Sequence, residues 1–575
     1  MLVIESEKGV TTHVLEYRLV TTINELETYK DTWSEILERE KNDNPFIEYE
    51  WISTWWMIVG HDVNVEIYIV EHNGEAIAFF PLVHTSRFGG IHQFSFLGQG
   101  LASYMEVIAE KRWKEQAVHY LLKELTNKFS RVLFVLHGLL ESKDTSQILE
   151  KYTLAHQLPY SVFRVVTPYI DFKSIKLPDF LAKHKRRFKS INRREKRLKE
   201  LGNITYQKAH AGSLDNMFRL FERRWQKKMD TSGFTDERTK AFFEQLAKQQ
   251  NGALCLKIHC LQFENTWIGF TLDICCRGRN FCHAMGHEPD FNMFGPGRLI
   301  EKENMLKAHS MNYHLYDFGI GYEPYKFDWY THLDFTRKFI MSTTGMRERA
   351  LRNVMVLQES MLAMVKTNRR IVEWKRNTLG ELRYLFTKAN MNEWFSMLKC
   401  KVFNGHVFNI YYLDEKMCPN KPNFQEIYIQ SVLDHDQRTE LLAHYFKGYK
   451  LYGQKQEISF LRHDKLIHEE ADGFMQELPP NTTYIKNYAL PKLQIIVNEV
   501  QREGRAICTS ANWFEWRKRR MLNALGFRRV ERVWVNQLLK WKKVHRQEKK
   551  WVKLFSKQGQ QSEHSWHLTL LSFLI

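Results

Sequence analysis

At 575 residues the chain is too long for one hydrophobic core, and two to four domains are expected. A hydrophobic content of 43%, with 14% aromatic residues and only 13 prolines and 28 glycines, excludes long disordered tracts. The formal charge of +18 points to an anionic partner and says nothing about fold.

Taken in chain order, INELETYKDTWSEIL reads as a helix and leads to NPFIEYEWISTWWMIVG. VNVEIYIV and AIAFFPLVHTS bracket EHNGE, a strong hairpin signal. The helix WKEQAVHYLLKELTNKF and the apolar strand VLFVLHG follow. A second region opens after TPYIDF with a basic helix over Leu181 to Leu201 and the helices SLDNMFRLFERRWQKKM and TKAFFEQLAKQQ. The strand ALCLKIHCLQF then turns through ENTW into IGFTLDICCRG and NFCHAMGH, followed by a helix at FGPGR and the strand YHLYDFG. Residues Arg347 to Trp374 read as one long helix. A third region carries strands at HVFNIYYL, FQEIYIQSVL, TTYIKNY, AICTS and ERVWVNQLLKW, with the helix LPKLQIIVNEVQREG among them. Mixed sheets with helices on both faces predict an α/β (α+β) class, with parallel pairing at the strand–helix–strand steps around ITYQ and LYDFG.

Eight cysteines, at 255, 260, 275, 276, 282, 400, 418 and 508, form no CxxC pair, so reduced thiols and no metal site are expected. The first residues, MLVIESEKGVTTH, lack a basic region followed by an apolar core. No run approaches the roughly 18 apolar residues that span a bilayer. A cytoplasmic protein without a transmembrane segment is the expectation. No nucleophile elbow, Walker loop or Rossmann fingerprint occurs, which argues against hydride transfer and nucleotide hydrolysis.

Three constellations carry candidate chemistry. The first is the start of the FGPGR helix. Pro296 suits a first helical turn, and Gly295 and Gly297 allow close backbone approach. Unpaired amides there attract phosphate, and Arg298 would add a charge-assisted contact. An ordinary helix cap after a hairpin gives the same pattern. The second is the loop from Gly319 to Tyr330, where Glu323 is placed to accept a proton, Tyr325 to give one to a departing thiolate, and Lys326 to neutralise an anion. A surface loop covering a sheet edge is the competing reading. The third is the basic helix, with ten Lys or Arg against two Glu over residues 183–200 and a narrow apolar stripe. It fits an anionic partner (nucleic acid, glycan or membrane surface) or a merely solvated face. Cys282 and His283, on the strand before the FGPGR helix, are read as structural.

NPFIEYEWISTWW, FFPLVHTSRFGGIHQFSFLGQGLASYMEVI, the arginine-rich helix ending at Gly202, FGPGRLIEKENMLKA and YDFGIGYEPYKFDW follow one another in order. That series, within residues 15–345, resembles the CelD-like acyltransferases of cellulose and exopolysaccharide synthesis, a branch of the GNAT superfamily related to the FemABX ligases. The resemblance implies tandem GNAT-like folds with mixed central sheets, at 13–175 and 176–345, then a helical linker at 346–391. AICTSANWFEWRKRRMLNALGFRRVERVWV resembles the closing segment of the same fold and implies a third, divergent GNAT-like domain at 392–541, which leaves a basic tail at 542–575 unassigned. It further implies an acyl-CoA co-substrate, acetyl-CoA or another, with its pyrophosphate at Gly295–Arg298, and direct acyl transfer to an amine or hydroxyl on a small-molecule or glycan acceptor. An aminoacyl-tRNA donor of the FemABX type and a non-catalytic binding role are the alternatives. The chain departs from the family in two places. It reads NMFGPGR where the GNAT phosphate loop has Q/R-x-x-G-x-G/A, and Ser103–Tyr104 where an Asp-Tyr pair is common.

Overall fold

The computed structural model describes residues 15–98, 100–225, 236–249, 252–367, 403–414, 438–454, 457–463, 465–468, 474–486, 493–538 and 541–548. The chain divides into two compact units, Met1–Tyr384 and Leu385–Ile575.

The first unit opens with β1 (Leu15–Val20), α1 (Ile23–Glu27), α2 (Lys30–Arg39), α3 (Tyr49–Ile58), β2 (Val65–His72), β3 (Glu75–Arg87) and β4 (Ile91–Phe96). It continues with β5 (Ile108–Ala109), α4 (Lys111–Lys128), β6 (Val132–Leu140), α5 (Thr145–Ala155) and β7 (Tyr160–Asp171). A second series follows: α6 (Leu177–Lys183), α7 (Lys185–Lys199), β8 (Ile204–Ala209), α8 (Leu214–Trp225), α9 (Glu237–Lys248), β9 (Leu254–Phe263) and β10 (Thr266–Cys276). β11 (Arg279–His287), α10 (Pro296–Ser310), β12 (Leu315–Asp317), β13 (His332–Ser342) and α11 (Met346–Thr367) complete it. The hairpins form where two consecutive residues accept positive φ. Asn73–Gly74 turns β2 into β3, and Glu264–Asn265 turns β9 into β10.

One sheet runs through the whole unit, in the order β1-β2-β3-β4-β6-β13-β7-β12-β11-β10-β9-β8. Read inward from its two ends, it is the same pattern twice. β1 to β4 are antiparallel, β4 pairs parallel with β6, and β6 pairs antiparallel with β13. Likewise β8 to β11 are antiparallel, β11 pairs parallel with β12, and β12 pairs antiparallel with β7. The two patterns meet at the β7–β13 ladder. Each half therefore gives its last strand to the sheet of the other. The aromatic core crosses the same seam: the Trp51 ring lies 4.8 Å from Phe242, and Phe46 lies 4.9 Å from Phe281.

Parallel pairing occurs at LYDFG as expected, whereas the strand at ITYQ, β8, is an antiparallel edge strand. It is reached from α7 by a short turn and lies beside β9, the strand with which it can pair directly. The basic stretch is two helices, α6 and α7, broken at His184, whose φ of −103° and ψ of 16° leave the helical region. The expected long helix is α11 up to Thr367, and its continuation to Trp374 lies outside the described residues.

The second unit contains β14 (Phe403–Leu413), α12 (Arg438–Phe446), β15 (Lys450–Gln454), β16 (Glu457–His463), β17 (Lys465–His468), β18 (Phe474–Glu477) and β19 (Thr482–Lys486). α13 (Leu493–Arg502), β20 (Ala506–Asn512), α14 (Trp516–Ala524), β21 (Arg528–Leu538) and β22 (Trp541–Glu548) follow. The strand expected at FQEIYIQSVL lies outside the described residues. The sheet order is β15-β16-β19-β20-β14-β21-β22, and its parallel pair is β19 with β20. Strand for strand, β15-β16-β19-β20-β14-β21 repeats β9-β10-β11-β12-β7-β13 of the first unit, in pairing direction as well as order. The final strand falls in the stretch left unassigned from sequence. No helix among the described residues is long and apolar enough to cross a membrane.

Candidate functional site

In the second half of the first unit, β11 and β12 separate. Their ladder holds only Arg279 with Leu315, Asn280 with Tyr316 and Phe281 with Asp317. β11 runs on to His287, while the chain after Asp317 follows β7: Phe318 N–H donates to Pro168 O at 3.2 Å and Gly321 N–H to Val166 O at 2.9 Å. Two features drive the parting. β11 is bulged against β10, where Leu272 faces Ala284 but Asp273 faces Cys282, so His283 is the extra residue and the strand bends. Gly319 turns at φ 73°, its N–H held by Asp317 Oδ1 at 2.8 Å, and a Cβ there would lie 3.1 Å from the Phe281 ring. A wedge opens beyond Phe281 with α10 starting beside it. His283 itself packs against aromatic rings, the Phe243 centroid at 5.2 Å, and burial lowers its pKa to about 4. It is a neutral core residue, as its sequence context suggested.

α10 begins at Gly295, which sits in the left-handed region (φ 67°, ψ 51°) ahead of Pro296. A Cβ on Gly295 would lie 2.9 Å from Arg194 Nη1, and one on Gly297 would lie 3.2 Å from His287 Nδ1. The cation over the first turn of α10 is thus Arg194 of α7, which sequence reasoning did not select. Arg298 points instead to the loop, where it pairs with Asp328 and lies 3.9 Å from Glu301 Oε2. Asp328 also pairs with Arg187 of α7 at 2.9 Å. The helix start and the loop, read separately in the sequence, are joined through this carboxylate.

The loop folds as a short 3-10 turn over Pro324–Asp328. Lys326 is turned inward, donating to Ile320 O at 2.6 Å and pairing with Glu323 Oε2 at 3.1 Å. Tyr325 is mostly buried. Burial raises its phenol well above the ordinary value, the charges of Cys282, Glu301 and Glu323 raise it further, and Arg224 of α8 pulls it down. Arg224 Nη1 also donates to Met285 O on β11. Beneath the loop, Glu301 on α10 is buried and accepts from Trp329 Nε1 at 3.1 Å. Burial pushes its carboxyl up to about 7, against the pull of Arg298. The turn therefore gathers Glu323, Tyr325 and Lys326 beside a phenol-, thiol- and carboxyl-lined wall of β11, β12 and α10. Sequence reasoning missed Arg194, Arg224 and Glu301.

The matching place in the first half is filled. The β4–β6 ladder ends at Ser95 and Val135, and the following segment lies across β6, with Met105 N–H donating to Gly138 O at 3.1 Å. A Cβ on Gly138 would fall 2.9 Å from both Met105 N and Ser103 O, so the glycine in VLFVLHG admits this crossing. Tyr104 is fully buried and donates to Asp317 at 2.9 Å, which ties the filled half to the open one. Asp317 also takes Arg279 Nη1 at 3.1 Å. Burial raises its carboxyl even though Arg279 opposes it. At the start of α4 stands Glu110, already paired with Arg39 at 2.5 Å and Arg112 at 2.6 Å. A carboxylate at that helix start repels a phosphate.

Residues 185–327 match the family model for an acetyltransferase (GNAT) domain, a span that holds α7, the wedge, the start of α10 and the loop as far as Phe327. No curated protein matches the chain. Among solved structures it is similar to FemX (11% identity, 59% of this chain and 99% of that one, TM-score 0.39). It is also similar to a tandem GNAT protein from the clavulanic acid biosynthesis pathway (10% identity, 57% and 98%, TM-score 0.35). A third is a GCN5-related N-acetyltransferase from Sphaerobacter thermophilus (11% identity, 57% and 97%, TM-score 0.29). The chain is a mixed α/β protein whose residues 185–327 match the model of a GNAT acetyltransferase domain.

Proposed function

We propose that the second half of the first unit is an acyltransferase that takes an acyl group, acetyl in the simplest case, from acyl-CoA to an amine or hydroxyl acceptor. The observation that carries the reading is the parting of β11 from β12 beside the start of α10, a gap that no strand among the described residues fills. Arg194 adds a positive charge at that helix start, where Gly295 and Gly297 keep the approach open. The acceptor lone pair attacks the thioester carbonyl, polarised by a backbone N–H of β11 past Phe281, and the C–S bond breaks as the new bond forms. Glu323 takes the acceptor proton. Tyr325, held protonated by burial, returns a proton to the thiolate. Lys326 keeps Glu323 in place rather than meeting the substrate, since its ammonium is held by Glu323 and Ile320 O. Arg298 acts through Asp328 to fix the loop against α10.

A glycan acceptor in cell-envelope or exopolysaccharide synthesis follows from the CelD-like resemblance. A second reading, an aminoacyl-tRNA donor, is favoured by one observation: the basic helix α7 lays Arg194 on the start of α10. Mixing the protein with acetyl-CoA and a panel of amine and hydroxyl acceptors tests the first reading through release of free thiol. No release with any acceptor, together with salt-dependent binding of aminoacyl-tRNA, would replace it with the second.

A further inference from the structure

The turn between β20 and α14 in the second unit exposes Trp513, Phe514 and Trp516 by 59%, 61% and 60%. Side chains of this size are seldom left in water side by side in a soluble fold. The turn is nonetheless well determined by its own hydrogen bonds. Asn512 N–H donates to Glu515 Oε2 at 2.7 Å, Glu515 N–H to Asn512 O at 3.1 Å, Trp513 N–H to Val407 O at 2.8 Å and Arg519 Nη1 to Trp513 O at 2.5 Å. The three rings are held outward by a braced turn.

The next four residues, Arg517, Lys518, Arg519 and Arg520, are all cationic and occupy the first turns of α14. Positive charge at a helix N-terminus opposes the helix dipole, so this placement weakens the helix unless an anion lies nearby. Glu515 supplies one, 3.8 Å from Lys518, which leaves the segment three charges positive. Arg517 and Arg520 are exposed. Leu522 on the opposite side of α14 is buried and anchors the helix.

We propose that this aromatic and basic turn docks the protein on an anionic lipid surface. Indole and phenyl rings enter the headgroup boundary, and the cations of α14 lie against the negative lipids. Two features favour lipid over nucleic acid. Arg517 already covers the Trp516 ring, 5.2 Å from its centroid, so that face is not free to stack on a base. The rings also cluster at the tip of one turn instead of spacing along a groove. Docking would deliver the chain to the surface where envelope precursors reside.

The test is co-sedimentation of the full chain with vesicles of phosphatidylcholine alone or mixed with phosphatidylglycerol. Wild type should pellet with the mixed vesicles, less so as salt rises, and remain in solution with phosphatidylcholine alone. The triple variant Trp513→Ser, Phe514→Ser, Trp516→Ser should lose at least about tenfold in partition, since its apolar insertion is gone. Arg517→Gln with Arg520→Gln should weaken binding and flatten its salt dependence. All substituted side chains are exposed, and an unchanged melting curve confirms folding. Equal binding of the triple variant would assign any vesicle affinity to basic surfaces elsewhere, such as α7, and overturn the proposal. So would vesicle binding that never occurs, or a triple variant that loses affinity for single-stranded RNA instead.

Discussion

Replacing Glu301 by Gln tests the electrostatics of the wedge without moving its atoms. The amide oxygen of Gln can still accept from Trp329 Nε1, and the side chain has nearly the same volume. Burial raises the Glu301 carboxyl from 4.5 to about 7. A folded value above the unfolded one means the native state holds the proton more tightly. This contribution to stability is fully present below pH 4.5 and is lost as pH rises through 7. At about 1.4 kcal/mol per pH unit, the difference amounts to roughly 3 kcal/mol in total, of which about 2–3 kcal/mol falls between pH 5 and pH 8. Glu301→Gln carries no such loss. Thermal unfolding of both proteins across that range should show the variant gaining on wild type by several degrees as pH rises. A stability difference that stays constant, or that grows toward acid, would refute the assignment of Glu301 as a buried group titrating near neutrality.

Other consequences are simpler to read. Tyr325→Phe should lower the turnover of acyl transfer about a hundredfold with little change in KM for acyl-CoA, because it removes only the proton donor. Gly295→Ala should cost about 1 kcal/mol of stability for a Cβ at φ 67° and raise KM for acyl-CoA, since the methyl group meets Arg194. Calorimetric melting and initial rates separate the two effects. Tyr104→Phe leaves the buried Asp317 short of a donor and should cost about 1–3 kcal/mol, measured as a lower melting temperature.

What could be read in the sequence was local. The turn at Asn73–Gly74 announces its hairpin because Asn and Gly tolerate positive φ, and in the second hairpin Asn265 supplies that tolerance. The Pro296 helix start and the aromatic loop were visible for the same reason, as chemistry written in consecutive residues. The exchange of β7 and β13 was not visible. Neither segment was singled out as a strand, and nothing local says that each pairs with the half that it does not end. Arg194, Arg224 and Glu301 escaped notice because their roles depend on α7, α8 and α10 meeting around β11. Glu301 in particular lies in a helix whose buried side also holds Lys302 and Asn304, so hydrophobic periodicity marks none of them. Gly138 was the one overlooked local clue: a glycine in an apolar strand marks a close backbone crossing, here the segment that fills the first half's gap.

The central claim is that acyl-CoA enters the wedge with its phosphates at the start of α10. Calorimetric titration of acetyl-CoA into wild type and into Gly297→Val tests it most directly, because the added side chain meets His287 and Met285 at that helix start. The account predicts saturable binding to wild type and at least about a tenfold loss in the variant, with the fold intact. Equal affinity in both proteins would place the cofactor elsewhere and contradict the account.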